Sequence, residues 1–267
     1  MAEPSRRAAV LGKPVAHSLS PALHRAAYAS LGLDWSYDAI EVDAAELAGF
    51  LAGLDDSWAG LSLTMPLKEE AARLLDDVDP VARTLRSVNT VLPGPGGWRG
   101  ANTDVYGMTQ ALTRAGMRDA PGSAVILGAG ATARSAVAAL AALGTPSVTV
   151  CARRTEAAAD VADLVRELGM AATTADLTPD LALVRASVVV STLPGDAAAP
   201  WAAIGWAGTG VLLDVSYHPW PTPLSASWGS GSVASGRDLL LWQAVEQVRL
   251  ITGREPSAEA MSAALPA

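Results

Sequence analysis

One segment constrains the fold more than any other: the apolar residues 125–127 lead into GAGATA at 128–133, and alanine-rich sequence continues to Leu143. A second strand-like segment follows at Ser147–Cys151, at the spacing of a βαβ unit. Glycines at such a turn let the backbone approach a pyrophosphate, which then lies at the positive N-terminus of the helix. An ordinary tight turn would also use glycines, but the flanking strand and helix favour a dinucleotide site. The predicted contacts at this turn are Gly128, Ala129, Gly130 and Ala131.

Two arginines follow the second strand of this unit, at the position where the type of nucleotide is recognised. A protein that binds NAD usually carries Asp or Glu there to accept a hydrogen bond from the ribose 2′-hydroxyl. Arg153 and Arg154 instead suit a 2′-phosphate, because guanidinium groups donate paired hydrogen bonds to phosphate oxygens. The sequence therefore predicts NADP as the cofactor. The alternative is that both arginines are simply solvated.

Strand and helix signals alternate along most of the chain. The strand candidates are 8–12, 35–42, 60–64, 88–92, 98–101, 123–127, 147–151, 187–191 and 211–215. The helix candidates are 21–31, 44–54, 66–75, 105–115, 131–143, 156–168, 239–252 and 257–265. Such alternation is typical of parallel sheets covered by helices on both faces. We therefore predict an α/β protein of two domains, the second of Rossmann type.

Composition excludes several classes of protein. Half of the 267 residues are apolar, as in a globular protein, and the net charge of −8 argues against a nucleic-acid partner. No apolar stretch reaches the roughly 18 residues of a membrane span, and residues 1–10 lack a signal-peptide pattern. The single Cys151 excludes an internal disulfide and fits a reducing compartment. Together with the single cysteine, these features predict a cytoplasmic protein. Three histidines (17, 24 and 218) lack ligand spacing, so we expect no metal.

Lysine is rare in this chain, which uses arginine for 17 of its 19 basic residues. Lys13 and Lys68 are the exceptions, and lysine can exchange a proton where arginine cannot. Lys68 falls in the first turn of a helix predicted to begin at Pro66, where the helix dipole disfavours a cation. It is therefore a candidate general acid–base. The alternative is a solvated lysine balanced by Glu69 and Glu70.

Four further polar residues lie at predicted element ends. Asp104 precedes a helix and is either a catalytic carboxylate or an N-cap, whereas Asn89 lies where turn residues are common. Ser20 is predicted to cap the helix that begins at Pro21, but Ser18 has no such explanation. Two hydroxyls at a helix N-terminus could together bind a carboxylate.

These motifs resemble those of the shikimate dehydrogenase family over essentially the whole chain. They are GKPVAHSLSP (12–21), SLTMPLKEEA (62–71), SVNT (87–90), NTDVYG (102–107), GAGATAR (128–134), DVSYHPWPTPL (214–224) and SGRDLLLWQA (235–244). The resemblance implies a substrate-binding catalytic domain at 1–104 and an NADP-binding Rossmann-type domain at 105–237. It also implies that C-terminal helices (238–267) pack back on the first domain.

The resemblance further implies the reversible reduction of 3-dehydroshikimate to shikimate with NADPH, in the biosynthesis of aromatic amino acids. Lys68 corresponds to the catalytic lysine of the family, Asp104 to its partner aspartate, and Gly236 to a glycine beside the nicotinamide. The implied substrate contacts are Ser18, Ser20, Thr64, Asn89, Tyr217 and Gln243.

The chain also departs from the family pattern, and this keeps alternative functions open. The departures are Ser62, Ala101, Ala152, Asp238 and Trp242. Where many members carry asparagine, Ser62 is expected to make a shorter or water-mediated substrate contact. A paralogue acting on quinate or an aminated shikimate is one alternative. A non-catalytic regulator is another, although the retention of Lys68 and Asp104 weighs against it. We expect a monomer or a homodimer with a small-molecule substrate.

Overall fold

The computed structural model describes residues 5–117, 122–180, 186–203 and 210–266. The chain divides into two compact units: the first comprises Met1–Thr103 with Leu241–Ala267, and the second Asp104–Leu240. The boundaries expected from the sequence, after residues 104 and 237, differ from these by one and three residues. Within the described residues, each unit is built around its own sheet of six strands.

The elements are numbered in chain order. The strands are β1 (Arg7–Gly12), β2 (Ser36–Glu41), β3 (Trp58–Leu63), β4 (Asp77–Val78), β5 (Thr90–Gly94), β6 (Gly97–Ala101), β7 (Ser123–Leu127), β8 (Ser147–Ala152), β9 (Ala171–Asp176), β10 (Val188–Ser191), β11 (Val211–Asp214) and β12 (Ser232–Ser235). The helices are α1 (Ser20–Ser30), α2 (Leu47–Ala52), α3 (Leu67–Leu74), α4 (Pro80–Leu85), α5 (Asp104–Arg114), α6 (Ala131–Ala142), α7 (Thr155–Glu167), α8 (Ala199–Ala202), α9 (Pro223–Ala226), α10 (Gly236–Thr252) and α11 (Ala258–Ala263).

The sheet of the first unit is mixed, with the order β2-β1-β3-β5-β6-β4. Strands β1, β2 and β3 run parallel, whereas β5 pairs antiparallel with both β3 and β6. Every residue of β3 is buried, and Leu11, Leu61 and Leu67 are fully inaccessible in the core. Because β3 and β5 are adjacent, the carboxyl end of β3 lies beside the start of β5.

Helix α1 packs against β2 through a cluster of aromatic rings. His24 stacks on Tyr37 with 4.0 Å between the ring centroids, and Tyr28 meets the edge of Trp35 at 5.5 Å. The Nδ1 atom of His24 lies 2.9 Å from the carbonyl oxygen of Ser20. Burial lowers the pKa of His24 to about 4, against the opposing effect of this hydrogen bond. The ring is therefore neutral at neutral pH.

Acid is expected to destabilise the protein through His24. Its pKa rises from about 4 in the folded chain to the usual 6.5 on unfolding, so the unfolded state binds more protons between these values. The corresponding stability is complete above pH 6.5 and is lost as the pH falls towards 4, by on the order of 3 kcal/mol. His24→Phe keeps a stacking ring without a titrating group. Urea unfolding across this pH range should show a flatter profile for the variant, and identical profiles would contradict the assignment.

The described strands of the second unit form a wholly parallel sheet in the order β12-β11-β10-β7-β8-β9. The strand order reverses between β7 and β10, and in open parallel sheets ligands bind beyond the carboxyl ends of the strands at this point. The residues of β10 are all buried, as expected for a strand covered on both faces. The prediction of an α/β protein with a Rossmann-type second domain is confirmed.

Hydrophobic periodicity does not indicate the strands β4, β9 and β12 or the short helices α4, α8 and α9. The two short strands β4 and β12 have two and four residues, too few for a repeating pattern. Strand β9 carries small and polar residues that are mostly exposed at the sheet edge. Among the described residues, no helix is long and apolar enough to cross a membrane, and no group of three or more His, Cys, Asp or Glu side chains could hold a metal ion.

Candidate functional site

The glycine-rich turn follows β7 at the switch point of the parallel sheet. Gly128 has a φ of +110°, and a Cβ atom added there would lie 2.3 Å from Oγ1 of Thr192. Only glycine therefore fits at this position. Gly130 differs, because a Cβ atom there would meet no atom within 4 Å. The chain itself leaves that space open, which is what a backbone that must approach a bound pyrophosphate requires.

A cavity of about 490 Å³ opens beside this turn. The residues that line it are Gly128, Ala129, Gly130, Ala152, Arg153, Arg154, Ala157, Leu177, Thr192 and Leu193. Strand β8 ends at Ala152, which places Arg153 and Arg154 at the rim with exposed side chains. Ala131 is the first residue of α6, whose N-terminus follows the turn. The cavity combines small and apolar walls with two cations, and this donor set fits a phosphorylated dinucleotide.

The start of α10 explains one of the departures from the family pattern. The carboxylate of Asp238 accepts hydrogen bonds from the amide and the hydroxyl of Ser235, at 2.8 and 2.7 Å, and the hydroxyl of Ser235 accepts one from the amide of Asp238. This is a reciprocal capping box at a helix N-terminus. Between them, Gly236 is required sterically, since a Cβ atom would lie 2.1 Å from the carbonyl oxygen of Val215. Asp238 therefore has a structural role.

The loop that carries Tyr217 is held by a buried carboxylate. Asp214, at the end of β11, accepts a 2.6 Å hydrogen bond from the hydroxyl of Thr222 and a 3.2 Å bond from the amide of Ser216. Burial raises the pKa of Asp214, and these two hydrogen bonds oppose the rise. Thr222 in turn caps α9. Tyr217 is thus presented from a segment that is anchored on both sides.

In the first unit, the carboxyl end of β3 leads directly into α3. Thr64 follows the strand and is half-buried, and Lys68 is the second residue of the helix, which begins at Leu67 rather than at Pro66. The carbonyl oxygen of Lys68 accepts a 2.9 Å hydrogen bond from the amide of Val88. This bond ties the turn that carries the lysine to the segment just before Asn89.

Asn89 is buried within a dense set of hydrogen bonds. Its Oδ1 accepts from the amide of Thr103 and from the hydroxyl of Thr90, both at 2.8 Å, and its Nδ2 donates to the hydroxyl of Thr103 at 3.0 Å. The neighbouring Asn102 donates to the carbonyl of Ser87 at 2.8 Å. The Asn-Thr pairs of the sequence thus hold β5 and the residues after β6 together, so Asn89 has a fixed orientation.

The prediction that Ser20 caps α1 is wrong. Helix α1 begins at Ser20 itself. Leu19 occupies the N-cap position, and its side chain makes no capping hydrogen bond. Ser18 instead makes the local contact, because its hydroxyl accepts a 3.3 Å hydrogen bond from the amide of Ser20. Proline is tolerated in the first turn of a helix, so Pro21 does not by itself fix the residue at which α1 begins.

The positions of the remaining candidates divide between the two units. Gln243 is 7% exposed on the part of α10 that belongs to the first unit. Asp104 is the first residue of α5 and begins the second unit, with 5% exposure. The pairing of Lys68 with Asp104 stays a prediction. Motif reading missed Gln247, which lies four residues after Gln243 on the same helix face and is 1% exposed.

The parallel sheet, the glycine turn and the arginine-rimmed cavity define an α/β dinucleotide-binding protein. Residues 10–91 match the family model described as the shikimate dehydrogenase substrate binding domain, and residues 236–265 match the shikimate 5′-dehydrogenase C-terminal domain. A curated relative from Thermus thermophilus, named shikimate dehydrogenase (NADP(+)), is 37% identical over 260 residues, which cover 97% of each chain. The chain belongs to the shikimate dehydrogenase family.

Solved structures agree with this assignment. The crystal structure of Mycobacterium tuberculosis shikimate dehydrogenase is 45% identical with a TM-score of 0.89, and the match covers 97% of this chain and 98% of that one. A Thermus thermophilus shikimate 5-dehydrogenase in complex with NADP(H) and shikimate is 33% identical with a TM-score of 0.81, over 97% and 98% of the two chains. The resemblance expected from the motifs is confirmed.

Proposed function

We propose that this chain catalyses the NADP-dependent, reversible reduction of 3-dehydroshikimate to shikimate. The observation that carries the proposal is its similarity, over 97% of its length, to the Thermus thermophilus protein that binds NADP(H) and shikimate. The cavity beside Gly128 supports it, because its open backbone and two cations fit a nucleotide with a 2′-phosphate. In this proposal Gly128 to Ala131 hold the pyrophosphate, and Gly236 lies beside the nicotinamide.

The chemistry requires a proton as well as a hydride. Bound NADPH would supply the hydride to the substrate carbonyl carbon. Negative charge then develops on the carbonyl oxygen, and Lys68 is the ammonium group proposed to stabilise and protonate it. Asp104 is proposed to orient Lys68 and the substrate hydroxyl. In the reverse reaction, Lys68 would accept the proton of the substrate hydroxyl, with Asp104 again in the orienting role.

The proposed substrate contacts supply hydrogen bonds to the ring. Ser18 and Ser20 are proposed to hold the carboxylate, close to the N-terminus of α1, where the helix dipole favours an anion. The fixed orientation of Asn89 suits a group that recognises ring hydroxyls. Thr64, Tyr217 and Gln243 are proposed as further contacts.

The proposal includes the setting in which the enzyme works. Burial raises the pKa of the Cys151 thiol to about 11, with a smaller effect of Asp180, so this cysteine stays an unreactive thiol in a reducing compartment. We infer a cytoplasmic enzyme with a small-molecule substrate. The net charge of −8 argues against nucleic acid. A monomer and a homodimer are both compatible with this proposal.

A steady-state assay tests the function directly. The purified chain is given shikimate, quinate or an aminated shikimate analogue with NADP⁺ or NAD⁺, and formation of the reduced nicotinamide is followed by absorbance. We expect the highest kcat/KM for shikimate with NADP⁺. A higher kcat/KM for quinate or for an aminated analogue would identify a paralogue of different specificity. Binding of shikimate and NADP⁺ without turnover would identify a non-catalytic regulator.

A further inference from the structure

A buried hydrogen-bonded chain connects α10 to the ends of two strands in the first unit. Gln247 on α10 is 1% exposed, and its side chain contacts residues of the adjacent strands β3 and β5. Its Oε1 accepts a 2.8 Å hydrogen bond from the hydroxyl of Ser62. Its Nε2 donates to the hydroxyl of Thr90 at 3.0 Å and to the carbonyl oxygen of Asn89 at 3.2 Å. The hydroxyl of Tyr37 completes the chain with a 2.5 Å bond to Ser62.

The direction of each hydrogen bond in this chain follows from the donors available. Tyr37 donates to Ser62, whose single proton then goes to Oε1 of Gln247. The backbone carbonyl of Asn89 can only accept a hydrogen bond, so Nε2 of the Gln247 amide must face it and Thr90, and Oε1 must face Ser62. Because the hydroxyl of Thr90 accepts from Nε2, its own proton is available to Oδ1 of Asn89, at 2.8 Å. Each member therefore determines the orientation of the next.

The first donor of the chain does not change its protonation state in the working range of pH. Burial raises the pKa of Tyr37 well above its usual value, against the effect of the bond to Ser62, so the phenol stays protonated. His24, stacked on Tyr37, is neutral above its own pKa of about 4. Ser62 is 4% exposed, and its hydroxyl both donates and accepts inside the protein. It therefore serves as a link in the chain rather than as the expected substrate contact.

We propose that Gln247 is a positioning residue for substrate recognition, which acts through Thr90 to fix the amide of Asn89 in the orientation that the ring hydroxyl requires. The inference rests on the proposed function, in which Asn89 contacts the substrate. The backbone amide of Thr103 also donates to Oδ1 of Asn89, so loss of the bond from Thr90 should tilt the amide away from the ring hydroxyl rather than turn it over. We call the buried hydrogen-bonded side chains of Tyr37, Ser62, Gln247 and Thr90 the relay. Breaking the relay should weaken substrate binding, while the geometry of hydride transfer is retained. In this way α10 contributes to specificity through a residue that does not touch the ring.

Matched substitutions at Thr90 test the relay with little change in shape. Thr90→Val removes the hydroxyl, whereas Thr90→Ser retains it and should rescue the function. We expect Thr90→Val and Gln247→Met to raise KM for shikimate about tenfold, with kcat within about threefold of the wild type and KM for NADP⁺ unchanged. Glu246→Gln, on the same helix but paired with Arg249, is the control and should leave KM unchanged.

KM separates positioning from instability, because a smaller folded fraction lowers apparent kcat but does not change KM. A double-mutant cycle with Asn89→Ala then tests the route: Thr90→Val should raise KM by less than about twofold in that background. Multiplied effects in the double variant, or wild-type KM in both folded single variants, would overturn the inference while leaving the proposed function intact. Absence of shikimate turnover in the wild-type protein would overturn both.

Discussion

Replacing Lys68 with alanine is expected to lower kcat for shikimate oxidation by a factor on the order of a hundred or more. The substitution removes the proposed proton donor and acceptor but none of the proposed ring contacts, so the dissociation constant of shikimate should change little. The backbone should not shift, because the carbonyl of Lys68 keeps its hydrogen bond with the amide of Val88. Steady-state kinetics together with calorimetric titration of shikimate measure both quantities.

Two further variants separate proton transfer from charge. Lys68→Arg retains a cation but cannot release a proton near neutral pH, so it should remain nearly as slow as the alanine variant. The other lysine provides a matched control: Lys13 is exposed and forms a 3.2 Å ion pair with Asp43. Lys13→Ala should leave kcat unchanged. Retained turnover in Lys68→Ala would remove this residue from the chemistry, and full activity of Lys68→Arg would limit its role to electrostatics.

The glycine turn of the second unit could be predicted from the sequence, whereas the buried hydrogen bonds of the first unit could not, for a physical reason. The residues that define a glycine turn are local: Gly128 and Gly130 are two residues apart in the chain, and the apolar strand just before them indicates their role. Thr192, against which Gly128 packs, and Leu177 and Leu193 in the cavity wall are distant in the chain and are placed there by the fold. Because the glycines of this turn and the strand before them are close in the chain, the motif could be recognised from the sequence.

The relay in the first unit leaves no such pattern. Gln247 and Ser62 are 185 residues apart in the chain, and Gln247 and Asn89 are 158 apart. Nothing in the neighbourhood of Ser62 indicates whether its hydroxyl points to a ligand or to a distant glutamine. Only the fold brings these side chains together, and it also changes the interpretation of Ser62. Strand β9 could not be predicted either. Backbone hydrogen bonds to β8, rather than buried side chains, hold it at the edge of the sheet, so its sequence carries no hydrophobic pattern.

Removing both guanidinium groups at the end of β8, as Arg153→Ala with Arg154→Ala, is expected to raise KM for NADP⁺ by roughly 30-fold or more. KM for NAD⁺ should change by less than about threefold, since NAD⁺ has no 2′-phosphate for these groups to contact. Both side chains are exposed, so water and salt weaken the interaction, and the loss for NADP⁺ should shrink as ionic strength rises. Steady-state kinetics with each cofactor at low and high salt measure these effects.

A control variant is needed to separate the loss of positive charge from the loss of guanidinium groups at the rim of the cavity. Arg166 lies in the last turn of α7, the helix that begins directly after Arg154, and it is exposed and pairs with Asp163 at 2.7 Å. Arg166→Ala removes one positive charge from the same unit without changing the rim of the cavity, so KM for NADP⁺ should stay within about twofold of the wild type. Equal losses for NADP⁺ and NAD⁺ in the double variant would refute recognition of the 2′-phosphate. An increase in KM confined to NADP⁺ would show that Arg153 and Arg154 recognise the 2′-phosphate, at the position where NAD-binding proteins carry an acidic residue.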